Sequence, residues 1–280
     1  MIGTLSGVQN PAYRSADFIF IFTTFKSSMM KLMNILMLLL ISAEAFAQEP
    51  KDTLFVQDVD DPNRAHVTVY LVGELVHATG YLVDGKRTGM WTLYNTNGTI
   101  KAIVSYHNGK RDGKRVALNK RGELAKIEHY KKDLKHGLTQ QLARGKVKLE
   151  ETYKDDMLHG FRTVFYDDGG KQEEGDWKKN KREGVTTWYY KQNKIALEYN
   201  YVNGKLDGEQ KFYHQNGDIQ KIIYYSNDKE TGVVKEYYEG GKLKLTGEYK
   251  EGIKNGKWEE FDEEGKLIKT ERYKNGGLVE

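Results

Sequence analysis

Apolar and polar residues alternate along most of this chain in runs of about six. Residues 100–106 and 219–225 carry apolar side chains at alternate positions, the period of a half-buried strand. The runs are rich in Val, Ile, Thr, Tyr and Phe, which suit a pleated surface. Between them stand pairs such as Asn108-Gly109, Asn203-Gly204 and Asn216-Gly217, which tolerate the positive φ of tight hairpin turns. Beyond the N-terminal region no long window holds a 3.6-residue period, so the pattern predicts hairpins and no helix there.

The hairpins recur. A glycine that closes the first turn of each unit stands at Gly89, Gly113, Gly137, Gly160, Gly184, Gly208, Gly232 and Gly256, with one step of 23 residues and the rest of 24. Five places after it comes Tyr94, Leu118, Leu142, Phe165, Tyr189, Tyr213, Tyr237 or Phe261. Seven places before it comes Leu82, Tyr106, Tyr130, Tyr153, Trp177, Tyr201, Tyr225 or Tyr249. A second turn residue follows nine places after it at Gly98, Gly122, Gly169, Asn193, Gly217, Gly241 and Gly265, while Gly145 comes one place early in the short unit. A fixed period of this size marks a repeat array. The fold expected is all-β: an elongated single-layer antiparallel meander of about nine hairpin repeats over residues 65–280, on the order of 90 Å long. Rings stacked from repeat to repeat would form its core, each unit burying its face against its neighbours. Residues 65–88 read as a degenerate first repeat and residues 48–64 as a linker. The last period starts at Tyr273 and leaves a strand edge on which another chain could pair.

Ahead of the array, residues 32–42 form the one strongly apolar tract. Lys31 precedes it, and Ala45-Phe46-Ala47 follows before Gln48. A basic start, a short apolar stretch and an A-x-A site are the parts of a secretory signal peptide. Residues 29–47 are therefore expected to be cleaved on export to the periplasm, the envelope or the medium, and residues 1–28 to precede the true start. The alternative is a retained N-terminal region with two membrane-seeking segments.

Composition narrows the chemistry. With no cysteine, disulfides, thiolate metal sites and cysteine nucleophiles are excluded. The net charge of +4 is the remainder of 44 basic and 40 acidic residues whose signs look interspersed, which argues against a nucleic-acid partner. His136 and His159 each precede a closing glycine, but equivalent positions one repeat apart lie about 10 Å apart, too far to share a metal ion. No pair of carboxylates stands out, and the glycines lie between strands rather than before a helix, so no nucleotide loop is present. No catalytic residue, metal ligand or cofactor is expected. Trp91, Trp188 and Trp258 lie off the two ring columns and are the candidate binding residues: exposed, they would offer a stacking surface for sugars or a docking surface for protein. Packed on the other face or under Lys and Arg stems, they would be structural. The middle of the array departs most from the pattern, with Lys132-Asp133 and Asp155-Asp156 at its turns, which reads as a bend, a binding patch or drift.

Residues 247–256, 175–184 and 201–208 resemble the MORN repeat, most closely its bacterial variant. The resemblance implies an extended hairpin array that serves as a scaffold and interaction module. For some relatives it implies phospholipid or membrane association, and for many bacterial ones a label as an antitoxin. The second glycine usual two places after the closing one is replaced here by Trp91, Arg115, Thr139, Arg162, Thr186, Gln210, Val234 and Trp258. The expected function is an exported scaffold binding a protein or envelope component through one face or edge of the sheet. A toxin-neutralising partner and a lipid- or glycan-binding array are the alternatives, and self-association through the C-terminal edge is a further option.

Overall fold

A computed structural model describes residues 52–71 and 74–279. The segments expected as an extended start and a signal peptide lie outside the described residues. Twenty-two strands form one antiparallel sheet in which each hairpin pairs with the next in chain order. One short 3-10 turn at Lys191–Asn193 interrupts the strands.

The array begins earlier than the sequence suggested. Asp52–Gln57 is a strand that pairs with Arg64–Tyr70, from Asp52 opposite Tyr70 to Gln57 opposite Ala65. Phe55 stands opposite Val67 and packs against the first core cluster, which draws this stretch of the expected linker into the sheet. Ala65 then takes the place of a closing glycine, opposite Leu82.

The strands are also longer than six residues, because the closing glycine does not close a turn. In Lys86–Tyr94 the turn is Asp84-Gly85, both with positive φ, and Gly89 lies inside the strand at φ 65°. The register shifts here: Tyr81 pairs with Thr88 and Thr79 with Thr92, so the strand bulges around Gly89. An L side chain is strained at such a φ, which is why glycine recurs there. Across the next strand pair every closing glycine faces the following ring: Gly89 opposite Tyr106, Gly160 opposite Trp177, Gly256 opposite Tyr273. The short repeat has its own cause. Arg144 and Gly145 (φ 53° and 73°) make a two-residue turn between Ala143 and Lys146, shorter than the loops that carry a second-turn glycine.

The departures at the middle turns have a structural reason. Asp133, Asp156, Asn180 and Asp228 each donate a backbone N–H to the preceding hairpin at Arg111, Lys135, Leu158 and Leu206. Each also accepts, on its side-chain oxygen, the backbone N–H of that same residue, at 2.7–2.8 Å. Gly109 and Gly204 make only the first of these bonds. The aspartates and asparagines thus clamp one hairpin tip to the next.

Because strands alternate, one face packs and the other stays open. The buried side chains, with the exception of Thr163, stand on the packed face. Its central file has one residue per strand, two places after each closing glycine or nine before it. Val67, Gly80, Trp91 and Val104 begin it, and Ile223, Val234, Gly247 and Trp258 lie near its end. Trp91 and Trp258 fit because their neighbours are glycines: a Cβ on Gly80 would stand 2.5 Å from the Trp91 ring, and one on Gly247 would collide with Trp258. At the C-terminal end, Leu267–Lys274 pairs along its length with Ile253–Phe261, while Gly277–Leu278 covers only Tyr273 and Lys274 on the other side.

Gly247→Ala is therefore expected to cost about 1–3 kcal/mol in urea unfolding through the forced displacement of the indole. Gly265→Ala, at a second turn with open space around it, has no such overpacking cost and is expected to lose about 1 kcal/mol, from its positive φ alone. Equal losses would contradict the packing described.

Candidate functional surface

The tryptophans settle first. Trp91 is fully buried, its indole N–H donates to the Tyr81 carbonyl at 3.1 Å, and Arg87 lies 4.4 Å over its ring. Trp258 is 5% exposed, edge-on between Tyr249 and Tyr273, with Lys254 at 4.2 Å. Trp188 is half-buried; its N–H donates to Glu173 at 3.1 Å, Tyr199 packs at 5.1 Å and Arg182 lies 5.0 Å over the ring. All three stand on the packed face. The expected stacking surface is corrected accordingly: Trp91 and Trp258 belong to the core clusters, Trp188 packs on the same face, and a cationic side chain lies over each ring.

Between the two apolar ends the central file turns ionic. Glu128 is 3% exposed and meets Arg115 at 2.5 Å, Lys126 at 2.9 Å and Lys135 at 3.8 Å. Glu151 accepts from Arg162 at 3.2 Å and from the Tyr153 hydroxyl at 2.9 Å. Arg162 and Arg182 both reach Glu173, at 3.1 and 2.7 Å. Burial alone would raise the Glu128 carboxyl, but the hydrogen bonds and charges of Lys126 and Arg115 outweigh it and hold the group below its ordinary value. Burial and the neighbouring Glu151 carboxylate push the Tyr153 hydroxyl up to about 12. Thr139 and Thr186 bury hydroxyl oxygens in the same file with no hydrogen-bond partner. The signal was visible as Arg115 and Arg162 in the column two places after the glycine. It could be read only once that column was known to be inside.

The edge of second turns carries a second device. Tyr166, Tyr190 and Tyr238 donate their hydroxyls to the carbonyls of Tyr189, Tyr213 and Phe261, one repeat onward, at 2.6–2.9 Å. His214 makes the equivalent contact with Tyr237 at 2.9 Å. A shallow recess of about 800 Å³ lies here, lined in part by His214, Lys221, Glu236, Tyr238, Lys242 and Glu263. Lys221 pairs with Glu236 at 3.1 Å and Lys242 donates to the Glu263 carbonyl at 2.6 Å, so these polar groups serve the rail between repeats. Among the described residues no group of three or more His, Cys, Asp or Glu could hold a metal ion. His136 is engaged by Asp155 at 3.1 Å.

The open face shows what sequence reading missed. One place after the closing glycine, Leu138, Phe161 and Val185 are exposed in three successive repeats, and Leu134 and Met157 are exposed beside their tips. Placing these residues needs the strand to be read straight through the glycine, with alternation unbroken from Met157 to Phe161. The charges are also less evenly spread than they looked: residues 110–182 hold 20 lysines and arginines against 13 aspartates and glutamates.

The family description "MORN repeat variant" matches residues 87–108, 182–203, 206–227, 230–251 and 254–275. Those five repeats are variant MORN repeats. The five matches lie on either side of residues 109–181, a stretch that holds the Glu128 and Glu151 ion pairs and three of the four clamped tips. No curated protein matches the chain. Among solved structures, the crystal structure of TcdB2-TccC3 aligns with 76% of this chain and 14% of its own, at 10% identity and a TM-score of 0.17, a likeness that carries no argument.

Glu128→Ala would leave three cations around an empty site. A broken buried pair costs about 3–5 kcal/mol; with Arg115, Lys126 and Lys135 a quarter or more exposed, about 2–3 kcal/mol is expected. The Glu128 pKa is depressed on folding, so its contribution is present above the ordinary value of 4.5 and is lost as pH falls through the lower folded value. Urea unfolding of the two proteins should therefore differ most at neutral pH and converge in acid. A gap that widens on acidification would contradict the assignment.

Proposed function

We propose that the protein is an exported, non-enzymatic scaffold that binds a protein, or another component of the cell envelope, through one face of its sheet. MORN repeats commonly serve as binding scaffolds for proteins or membranes. The observation that carries the reading is the division of labour between the faces. Glu128, Glu151 and Glu173 are each engaged within the packed face by cations or hydroxyls. The open face leaves Leu138, Phe161 and Val185 uncovered. Charged groups committed to one another serve cohesion, and a row of uncovered apolar side chains is the usual mark of an interaction site. Export is supported by the basic start, apolar stretch and A-x-A site of residues 29–47.

The test is the full chain with a C-terminal tag, expressed in its own cells, fractionated, chemically cross-linked and sequenced from its N-terminus. The expected product begins at Gln48, sits in the envelope or the medium, and carries one cross-linked protein in constant ratio. A product that keeps residues 1–47 in the cytoplasm would remove the export reading. A chain that stays uncross-linked in every fraction would remove the scaffold reading.

A further inference from the structure

Two rows of exposed apolar residues run across successive repeats on the open face. The inner row is Leu138, Phe161 and Val185, exposed by 38%, 59% and 48%. The tip row is Leu134 and Met157, exposed by 40% and 37%. Across the hairpin tips Leu134 stands opposite Lys131 and Met157 opposite Lys154, and in the next repeat Lys178 stands opposite Lys181. The lysines therefore rim the tip row.

The segment that carries both rows is basic as a whole, with Arg115, Lys126, Lys135, Arg162 and Arg182 on the packed face against Glu128, Glu151 and Glu173, and Lys131, Lys154 and Lys178 on the open one. Residues 110–182 carry an excess of seven basic residues, from 20 against 13, whereas residues 183–279 hold 16 basic and 17 acidic ones. The family description also passes over residues 109–181. Exposed apolar area, positive charge and departure from the repeat pattern thus coincide, though each is a separate observation.

We propose that this face docks an acidic amphipathic helix of a partner protein; the proposal rests on the scaffold reading above and names the chemistry of its partner. Successive repeats stand two strands apart, about 10 Å. An α-helix returns to the same face every seven residues, about 10.5 Å. A helix laid across the strands with apolar residues seven apart meets one repeat at each return. The two rows are four residues apart along a bulged strand, about 10–13 Å, which admits a helix of about 10–12 Å diameter between them. Acidic side chains on the flank nearest Lys131, Lys154 and Lys178 complete the fit, in the manner of a helix-in-groove contact. An anionic lipid plane fits less well. Asp176 stands directly opposite Phe161 on this face, and Glu150 and Glu174 lie on it too. A charged plane would meet all three at once, whereas a helix can place its carboxylates away from them.

The test uses the full mature chain and three probes: a labelled 21-residue helix with leucines at seven-residue spacing and glutamates on its flanks, the same peptide with lysines for the glutamates, and phosphatidylcholine vesicles holding phosphatidylglycerol. The acidic peptide is expected to bind, to gain helicity on binding, and to weaken with salt. Phe161→Ser, and separately the pair Lys154→Glu and Lys178→Glu, should each weaken it about tenfold. Val233→Ser is the control: Val233 stands at the same position of a later repeat, 47% exposed, outside the basic segment, and its loss should leave binding unchanged. The proposal is overturned by no binding of the acidic peptide, by equal binding of the lysine peptide, by Phe161→Ser binding as the parent does, or by vesicles captured in place of the peptide. An envelope protein that cross-links equally to the parent and to Phe161→Ser would keep the scaffold reading and sink this one.

Discussion

Inside each repeat the backbone takes a positive φ at one glycine, the strand bulges, and the neighbouring strand sets a ring against the bare position. The rest of the sheet follows from that pairing. The bulge takes up two residues, so alternation runs unbroken through the glycine and Arg87, Gly89 and Trp91 share the packed face; Thr186, Val234 and Trp258 hold the same place in later repeats. The residue one place after the glycine falls on the open face by the same alternation, and Phe161 is uncovered there. A one-residue change in register would exchange the faces.

The hairpin period, the ring columns and the single-layer meander were legible in the sequence because they rest on turn chemistry and alternation. What was not legible has one cause. A glycine with positive φ looks the same in a turn as in a bulge, so Gly89 was read as closing a turn and the strands came out short. With the strand cut at the glycine, the column holding Trp91, Arg115 and Arg162 had no assigned face, and the core tryptophans remained candidates for a surface. Residues 52–57 were read as linker because one apolar ring, Phe55, is a weak local signal; its partner Val67 supplies the reason only in three dimensions.

The packed face is not uniform. Its apolar ends are held by indoles seated on glycines, where shape is decisive. Its middle is held by carboxylates and guanidinium groups, where the desolvation cost offsets much of the attraction. The same stretch adds the Asp and Asn clamps between hairpin tips, which strengthen cohesion between repeats where the apolar core is thinnest. Repeat arrays hold together through nearest-neighbour contacts, so a weaker middle joins two stronger halves. The open face over that middle carries the exposed apolar rows rimmed by Lys131, Lys154 and Lys178, and the docking proposal rests on that surface.

The central claim is that one file of side chains, apolar at both ends and ionic between, holds the sheet together. Native-state amide hydrogen exchange at neutral and at acid pH reads it most directly. The account predicts strong protection around Val67–Trp91 and Ile223–Trp258 at both pH values, with residues 124–165 opening first as Glu128 is protonated. Protection that stays highest in the middle, or that is lost along the whole chain in one step at acid pH, would contradict it.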